Sequence, residues 1–447
     1  MDDILNRFLA QAPVAVMVRA SLAHAFADTT LDALFERTAV AQYTRELTFS
    51  TLVRLMTKVV FTAQPSVHAA YRFTADIPVS VTAVYDKLGC LEPGVSAALV
   101  RETAAALRAV VAALPRRPRD PIPGLRLRTL DGNFLAGTEH RLDCLRGSGA
   151  AALPGMALVV RDGPSGLLTD LIPCADAYTN ERSLFADVLA LVRPDDLWLA
   201  DRNFCTADYL GGIAERQAFF LVRHHAGTHL HELGPRRYVG SNATGDLYEV
   251  RVRVGGLACR CVLVRLFQPL RDGTTELRLL TNVPAARCGA RRLAELYRTR
   301  WQIETAFQEL TENLRCEINT LGYPKAALFG FALAVAAYNQ LVLVRQALAA
   351  CPRGPAAAEM SSYYLAHEVA AVAEGLAIAV PEATWQRFAR MGAGAFAAWL
   401  VGVARGIDWR TYRKNPRGPK KPVEVKRTYR GAHRSTARVL QEHKKSP

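Results

Sequence analysis

The spacing of hydrophobic positions changes near residue 120, and that change organises the chain. Before it, apolar residues recur at helical spacing, as in residues 31–41 and in the Ala- and Leu-rich run 95–114. Pro115, Pro118, Pro121 and Pro123 then punctuate the chain within PRRPRDPIPG, which marks a boundary between units. Beyond it, LRLRTLD (125–131) alternates as a half-buried strand does. Residues 156–161 and 167–174 read as two more strands, and the DGPSG between them is good hairpin chemistry. A helix is expected over 180–192, a short buried strand over 197–201 (LWLAD), a helix over 206–217 and a strand over 219–224 (FFLVRH). Three strands, helix, strand, helix, strand imply an α/β fold with a mixed sheet flanked by helices.

Residues 225–284 alternate without helical period (YEVRVRV, ACRCVLVRLF, ELRLLTNV) and read as a β-rich insertion. A long helix is expected over 291–314, with further helices to about residue 402. The resulting division is a helical N-terminal region (1–120), a first core segment (121–224), the insertion (225–286), a second core segment (287–350), a helical C-terminal region (351–408) and a tail (409–447).

Composition alters this picture in three places. The chain has 447 residues and a formal charge of +15, from 56 Lys and Arg against 41 Asp and Glu. Thirteen Lys or Arg and two Glu fall in 409–447, so the tail carries +11 and the other 408 residues +4. A basic tail favours a polyanionic partner, its bland alternative being a solvated solubility segment. Residues 326–344 (AALFGFALAVAAYNQLVLV) are nearly long enough to cross a bilayer, but Asn339 and Gln340 interrupt them, so a buried core helix is the better reading. Nine cysteines without Cys-x-x-Cys spacing, and a start lacking a basic, then apolar, leader, fit reduced thiols in a cytoplasmic protein.

Candidate chemistry rests on three acids. Asp131 ends the first expected core strand and Asp201 the fourth, and sites in such sheets collect at strand ends. Each alone reads equally well as a turn cap, since Asp-Gly and Asp-Arg-Asn are common turn chemistry. Two carboxylates at neighbouring strand ends would offer hard oxygen ligands suited to Mg²⁺. In LAELYRTRWQIETAFQELTENL, placing residues at about 100° each puts Leu293, Leu296, Ile303, Phe307, Leu310 and Leu314 in one buried stripe. Tyr297, Arg300, Glu304 and Thr311 fall in an arc about 60° wide along its edge. Docked on the sheet, that helix would bring Glu304 to the two aspartates; the plain alternative is an i,i+4 pair with Arg300.

The spacing Tyr297-x₂-Arg300-x₃-Glu304 resembles the signature helix of cut-and-paste DDE transposases of the insertion-sequence type-four family. Leu130-Asp131-Gly132, Ala200-Asp201-Arg202-Asn203-Phe204, FFLVRH with Arg223, LLTNVP and AYNQL are similar to other elements of that family, over about residues 125–345. The family pattern has a lysine seven residues after the glutamate, where this chain has Thr311. Arg315, one turn further on, is a candidate substitute; loss of activity is the other reading.

The resemblance implies a ribonuclease-H-like core interrupted by a β-rich insertion. It also implies two Mg²⁺ ions, with Mn²⁺ able to substitute, held by Asp131, Asp201 and Glu304. Cleavage at element ends and strand transfer into target DNA would follow, with Tyr297, Arg300 and Arg223 positioning phosphates. A homodimer joining two DNA ends is expected, with the N-terminal region binding the terminal repeats. Trp301 has two readings, stacking on a displaced base or, more commonly for such a residue, packing against the insertion. His224, His225, His229 and His231 suggest a loop-side or DNA-side cluster rather than a metal site. No Walker motif is present, so no nucleotide cofactor is expected. The competing functions are an inactive DNA-binding relic and a ribonuclease-H-like nuclease without strand transfer. A tyrosine recombinase lacks its Arg and His constellation here.

Overall fold

The structure is a computed structural model describing residues 2–75, 77–135, 142–145, 152–270, 272–352, 354–415 and 434–445. Residues 416–433 of the basic tail lie outside it. In chain order the strands are β1 (Arg126–Leu135), β2 (Ala152–Leu153), β3 (Gly155–Asp162), β4 (Leu168–Cys174), β5 (Asp196–Ala200) and β6 (Phe219–Arg223). They continue with β7 (His231–Glu232), β8 (Arg237–Asn242), β9 (Gly245–Val254), β10 (Leu257–Leu266), β11 (Glu276–Thr281) and β12 (Arg434–Ser435).

Ten of them form one mixed sheet in the order β4-β3-β1-β5-β6-β11-β10-β9-β7, with β8 also on β9. β1, β3 and β4 run antiparallel, while β5 and β6 run parallel to β1, as a ribonuclease-H-like core requires. The insertion is β-rich as expected. Its strands continue the core sheet, because β11 pairs antiparallel with β6.

Alternation along the core strands sorts side chains to two faces. Leu130, Trp198, Ala200, Phe220 and Val222 pack with Tyr209, Leu210 and Ile213 of the helix Ala207–Glu215. Leu125, Leu127, Leu197, Leu199 and Leu221 face the other way, onto Leu293, Leu296 and Tyr297.

The β3–β4 end of the sheet rests on a helical core that both ends of the chain share. At its centre is the helix Pro324–Ala349, whose apolar residues are almost all fully buried. By length and composition alone it is apolar enough to cross a membrane, and its most hydrophobic window is enclosed entirely by protein. Helices from residues 14–18, 49–60 and 95–111 surround it on one side, and Leu365, Phe396 and Leu400 on the other.

The two amides that interrupt this helix are structural ties. β4 is an edge strand, and the buried Asn339 amide completes its edge. Asn339 Oδ1 accepts the Leu168 N–H at 2.8 Å and Nδ2 donates to the Leu168 carbonyl at 2.8 Å. The buried Gln340 accepts from the Ser21 hydroxyl, linking the same helix to the N-terminal region. Farther along, Arg345 donates to Glu309 at 3.1 Å and to Tyr338 at 3.0 Å, anchoring the helix that carries Glu304.

The end of the tail is docked. Ser435 Oγ donates to Asp176 at 2.6 Å, Arg438 Nε to the same carboxylate at 2.8 Å, and β12 pairs with β2.

Replacing Asn339 with Ala leaves two buried backbone groups of β4 without partners, each worth about 1–3 kcal/mol. Urea unfolding of Asn339→Ala is therefore expected to show a clearly lowered midpoint at unchanged slope; an unchanged midpoint would show that β4 does not depend on this amide.

Candidate active site

The two aspartates reach the site through strand register. β1 and β5 pair in parallel from Arg126↔Asp196 to Thr129↔Leu199. Asp131 and Asp201 each lie two residues beyond the last pair, so they sit side by side on the face that the helix Ala290–Tyr297 covers. Asp131 does not end its strand, as the pattern suggested. β1 runs on to Leu135 because β3 pairs with it throughout, from Arg128↔Asp162 to Leu135↔Gly155. What ends at Thr129 is the pairing with β5, and that opens the cleft on one side only. Asp201 does follow its strand, and its Oδ1 caps the next turn by accepting the Asn203 N–H at 2.8 Å.

The long helix is not uniform. It runs as Ala290–Tyr297, a 3₁₀ step at Arg298–Arg300, and Trp301–Asn313. The tightened step lies directly before Glu304, within the first turn of the second segment.

Arg300 stands between the acids. Its Nη1 donates to Asp131 Oδ2 at 2.8 Å and its Nη2 to Glu304 Oε1 at 2.6 Å, with the side chain only 9% exposed. The i,i+4 pair expected as the plain reading of Glu304 is thus one half of a clamp that also holds β1. Burial opposes the Arg300 charge, but Tyr297, Asp131 and Glu304 more than offset it, and its pKa is raised. The Nε of Arg300 is buried without a hydrogen-bond partner. Burial pushes the Asp131 carboxyl up to about 6; Arg300 and the Gly132 N–H oppose this, while Asp201 and Glu304 add to it.

A fourth carboxylate, missed in the sequence, lies beside these. Glu181 opens the turn Glu181–Leu184, accepts from Asn203 Nδ2 at 3.4 Å, and has its pKa raised by burial and then by Asp201. A Cβ at position 132 would collide with its carboxylate, so the glycine after Asp131 makes room for it. That glycine was the available signal.

The other expected residues are distributed as follows. Tyr297 is buried in the core, its hydroxyl pushed up to about 12 chiefly by burial, with Asp201 adding to the rise and Arg300 and Arg223 opposing it. Trp301 is 61% exposed, with its ring 5.1 Å from the Arg300 guanidinium, so it does not pack into the insertion. Arg223 ends β6 and lines a pocket with Arg202, His224 and His225.

Arg315 does not extend the Glu304 face. The helix stops at Asn313, Leu314 is extended, and Arg315 turns to the N-terminal region, its N–H donating to Val60 O at 2.9 Å and its guanidinium to Pro65 O. Thr311 is exposed and donates to Phe307 O of its own helix at 3.1 Å.

Asp131, Asp201 and Glu304 are hard oxygen donors on one cleft, and their mutual repulsion at Asp131 is the electrostatic condition that a divalent cation relieves. The donor chemistry fits Mg²⁺. Among the described residues, however, no three acid, His or Cys side chains are grouped closely enough to hold one ion, and Arg300 bonds to both Asp131 and Glu304.

A carboxyl raised when folded stabilises the fold below its unfolded pKa, near 4, and loses that contribution as pH rises through about 6. At pH 7 the ionised Asp131 is therefore a cost, and Asp131→Asn is expected to stabilise the protein by on the order of 1–3 kcal/mol, a gain that vanishes near pH 4. Urea melts at the two pH values check this. A less stable Asn variant at pH 7 would mean that pairing with Arg300 outweighs burial.

No curated protein matches the chain. Residues 128–340, a little under half of its length, match the family model described as the transposase DDE domain. That span runs from β1 through Asp131, Asp201 and Glu304 to Asn339 and Gln340, and the match supports a DDE transposase.

Proposed function

We propose that this chain is a transposase of the insertion-sequence type-four kind, which cleaves the ends of a DNA element and joins them to target DNA. The observation that carries the reading is the Arg300 clamp, which draws Asp131 of β1 and Glu304 of the signature helix to one cleft beside Asp201. Asp131, Asp201 and Glu304 would hold the metal. Bound there, Mg²⁺ or Mn²⁺ would activate a water or 3′-hydroxyl and neutralise charge on the phosphodiester.

The chain's own groups do the rest. Arg300 keeps the acids drawn together at rest, and on leaving them its guanidinium becomes a bidentate donor for a DNA phosphate. Tyr297, fixed in the core, limits where Arg300 can go. Exposed Trp301 offers a ring at the cleft edge for stacking on an unpaired base. The chain would act as a homodimer joining two ends, with the N-terminal helices contacting the terminal repeats.

One observation favours the inactive relic instead. The helix face where the family has a lysine offers Thr311, bonded to its own backbone, and Arg315 points elsewhere. Cleavage separates the readings. The substrate is DNA bearing the ends that flank the gene, incubated with Mg²⁺, Mn²⁺ or EDTA. Wild type is expected to nick the ends and give joined products with either metal, while Glu304→Ala and Asp201→Ala bind the ends and cut at background. Binding without cleavage in every metal would establish the relic, and nicks without joined products a nuclease.

A further inference from the structure

A cavity of about 460 Å³ opens where β5 and β6 end, lined by Arg202, Arg223, His224, His225, Ala226, Glu276 and Arg278. Its size is that of a small-ligand site, but its lining is basic where such sites are mostly apolar. Three guanidinium groups face one carboxylate, and that carboxylate is already engaged: Glu276 accepts from Arg278 at 2.9 Å and lies 3.7 Å from Arg236. Among the described residues Arg202 and Arg223 make no close ion pair, although the charge of Arg223 reaches exposed Asp272.

The histidine loop lines this space and leaves one ring N–H uncommitted. The Gly227 N–H donates to His225 Nδ1 at 3.0 Å, so the His225 proton resides on Nε2, free to donate elsewhere. His224 Nε2 is used up on the Thr228 carbonyl at 2.9 Å, and the Thr228 hydroxyl donates to Cys205 O, pinning the loop to the segment after Arg202. An unpaired excess of positive charge, with an uncommitted N–H on the same lining, is suited to seat an anion.

Its position says which anion. Arg202 directly follows Asp201 in the chain, about 3.8 Å away between Cα atoms, and the charge of Arg223 reaches Tyr297 beside Arg300. An anion held here is a close neighbour of whatever phosphodiester occupies the acid cleft. We propose that Arg202, Arg223, His225 and Arg278 form a second phosphate seat, which grips the backbone of the DNA strand leading away from the scissile position. The proposal rests on the transposase reading for its choice of polymer. It assigns Arg202, His225 and Arg278 a task that neither the acids nor the signature helix perform.

Binding of a 40-base-pair duplex in EDTA, titrated across salt concentrations, tests the seat without any contribution from catalysis. Arg202→Gln is expected to bind about tenfold more weakly and to reduce the salt slope by about one, and His225→Ala, which removes a neutral donor, to bind more weakly at unchanged slope. Both side chains lie outside the core, and circular dichroism with thermal melting confirms that the variants are folded. Affinity and slope equal to wild type in folded variants would overturn the seat, while metal-dependent cleavage by wild type left the transposase reading standing. Weaker binding by the variants of a protein that never cleaves would keep the seat and remove the active enzyme. Failure of wild type to bind DNA at all would overturn both.

Discussion

Charge repulsion in a half-buried cleft is the constraint on which the rest of this structure depends. Asp131, Asp201 and Glu304 are brought together by elements far apart in sequence, and burial removes the water that would screen Asp131. Left alone, such a group would push the signature helix away from β1. One guanidinium prevents that by bonding to both Asp131 and Glu304, and the fold supports it from behind. The Arg345–Glu309 pair fixes the same helix to the central helix, and Leu293 and Leu296 seat the preceding segment on the sheet. The clamp explains why the acids converge and yet form no ready metal cage. A cation shared by Asp131 and Glu304, as the proposed function has it, would compete with Arg300 for their charge.

How far this was legible in the sequence follows from the range of the interactions. The strand and helix order is a local pattern and it holds, and the aspartates and the Tyr297–Arg300–Glu304 spacing are local patterns whose residues the structure joins through the Arg300 bonds to Asp131 and Glu304. The buried character of residues 324–349 was also legible, because two amides in an apolar helix need internal partners. What failed were inferences about ends and breaks. Asp-Gly reads as a turn, but pairing with β3 carries β1 on to Leu135, and no local feature announces that partner. A 100° wheel assumes unbroken helix, whereas Arg298–Arg300 tightens and Leu314 is extended, so Arg315 leaves the face on which the wheel placed it. Glu181 comes from a turn remote in sequence from Asp131, and the one local hint of it is Gly132, whose missing Cβ leaves room for its carboxylate.

The β-rich insertion gains a structural reason from its register. A separate domain there would leave β6 as an exposed edge next to the acid cleft, with unpaired N–H and C=O groups. Pairing β11 onto β6 closes that edge and brings Glu276 and Arg278 beside Arg223 and the histidine loop. Extending the sheet therefore does two things at once. It stabilises the strand that ends in Arg223, and it builds the far wall of a basic pocket from residues about fifty positions later in the chain.

The distribution of charge then acquires a direction. Ion pairs consume many of the arginines in the body of the protein, such as Arg128 with Asp162 and Arg260 with Glu249, and these serve the fold. Arg202 and Arg223 are not consumed in this way, and Arg300 is bound only to the acids that a metal would claim. Of these three, Arg202 follows Asp201 just beyond β5, Arg223 ends β6, and Arg300 bonds to Asp131 where the pairing of β1 with β5 has stopped. Fixed positive charge on both sides of a carboxylate cluster would lower the cost of bringing a polyanion to a negatively charged site, which neither the acids nor a distant basic tail could do alone.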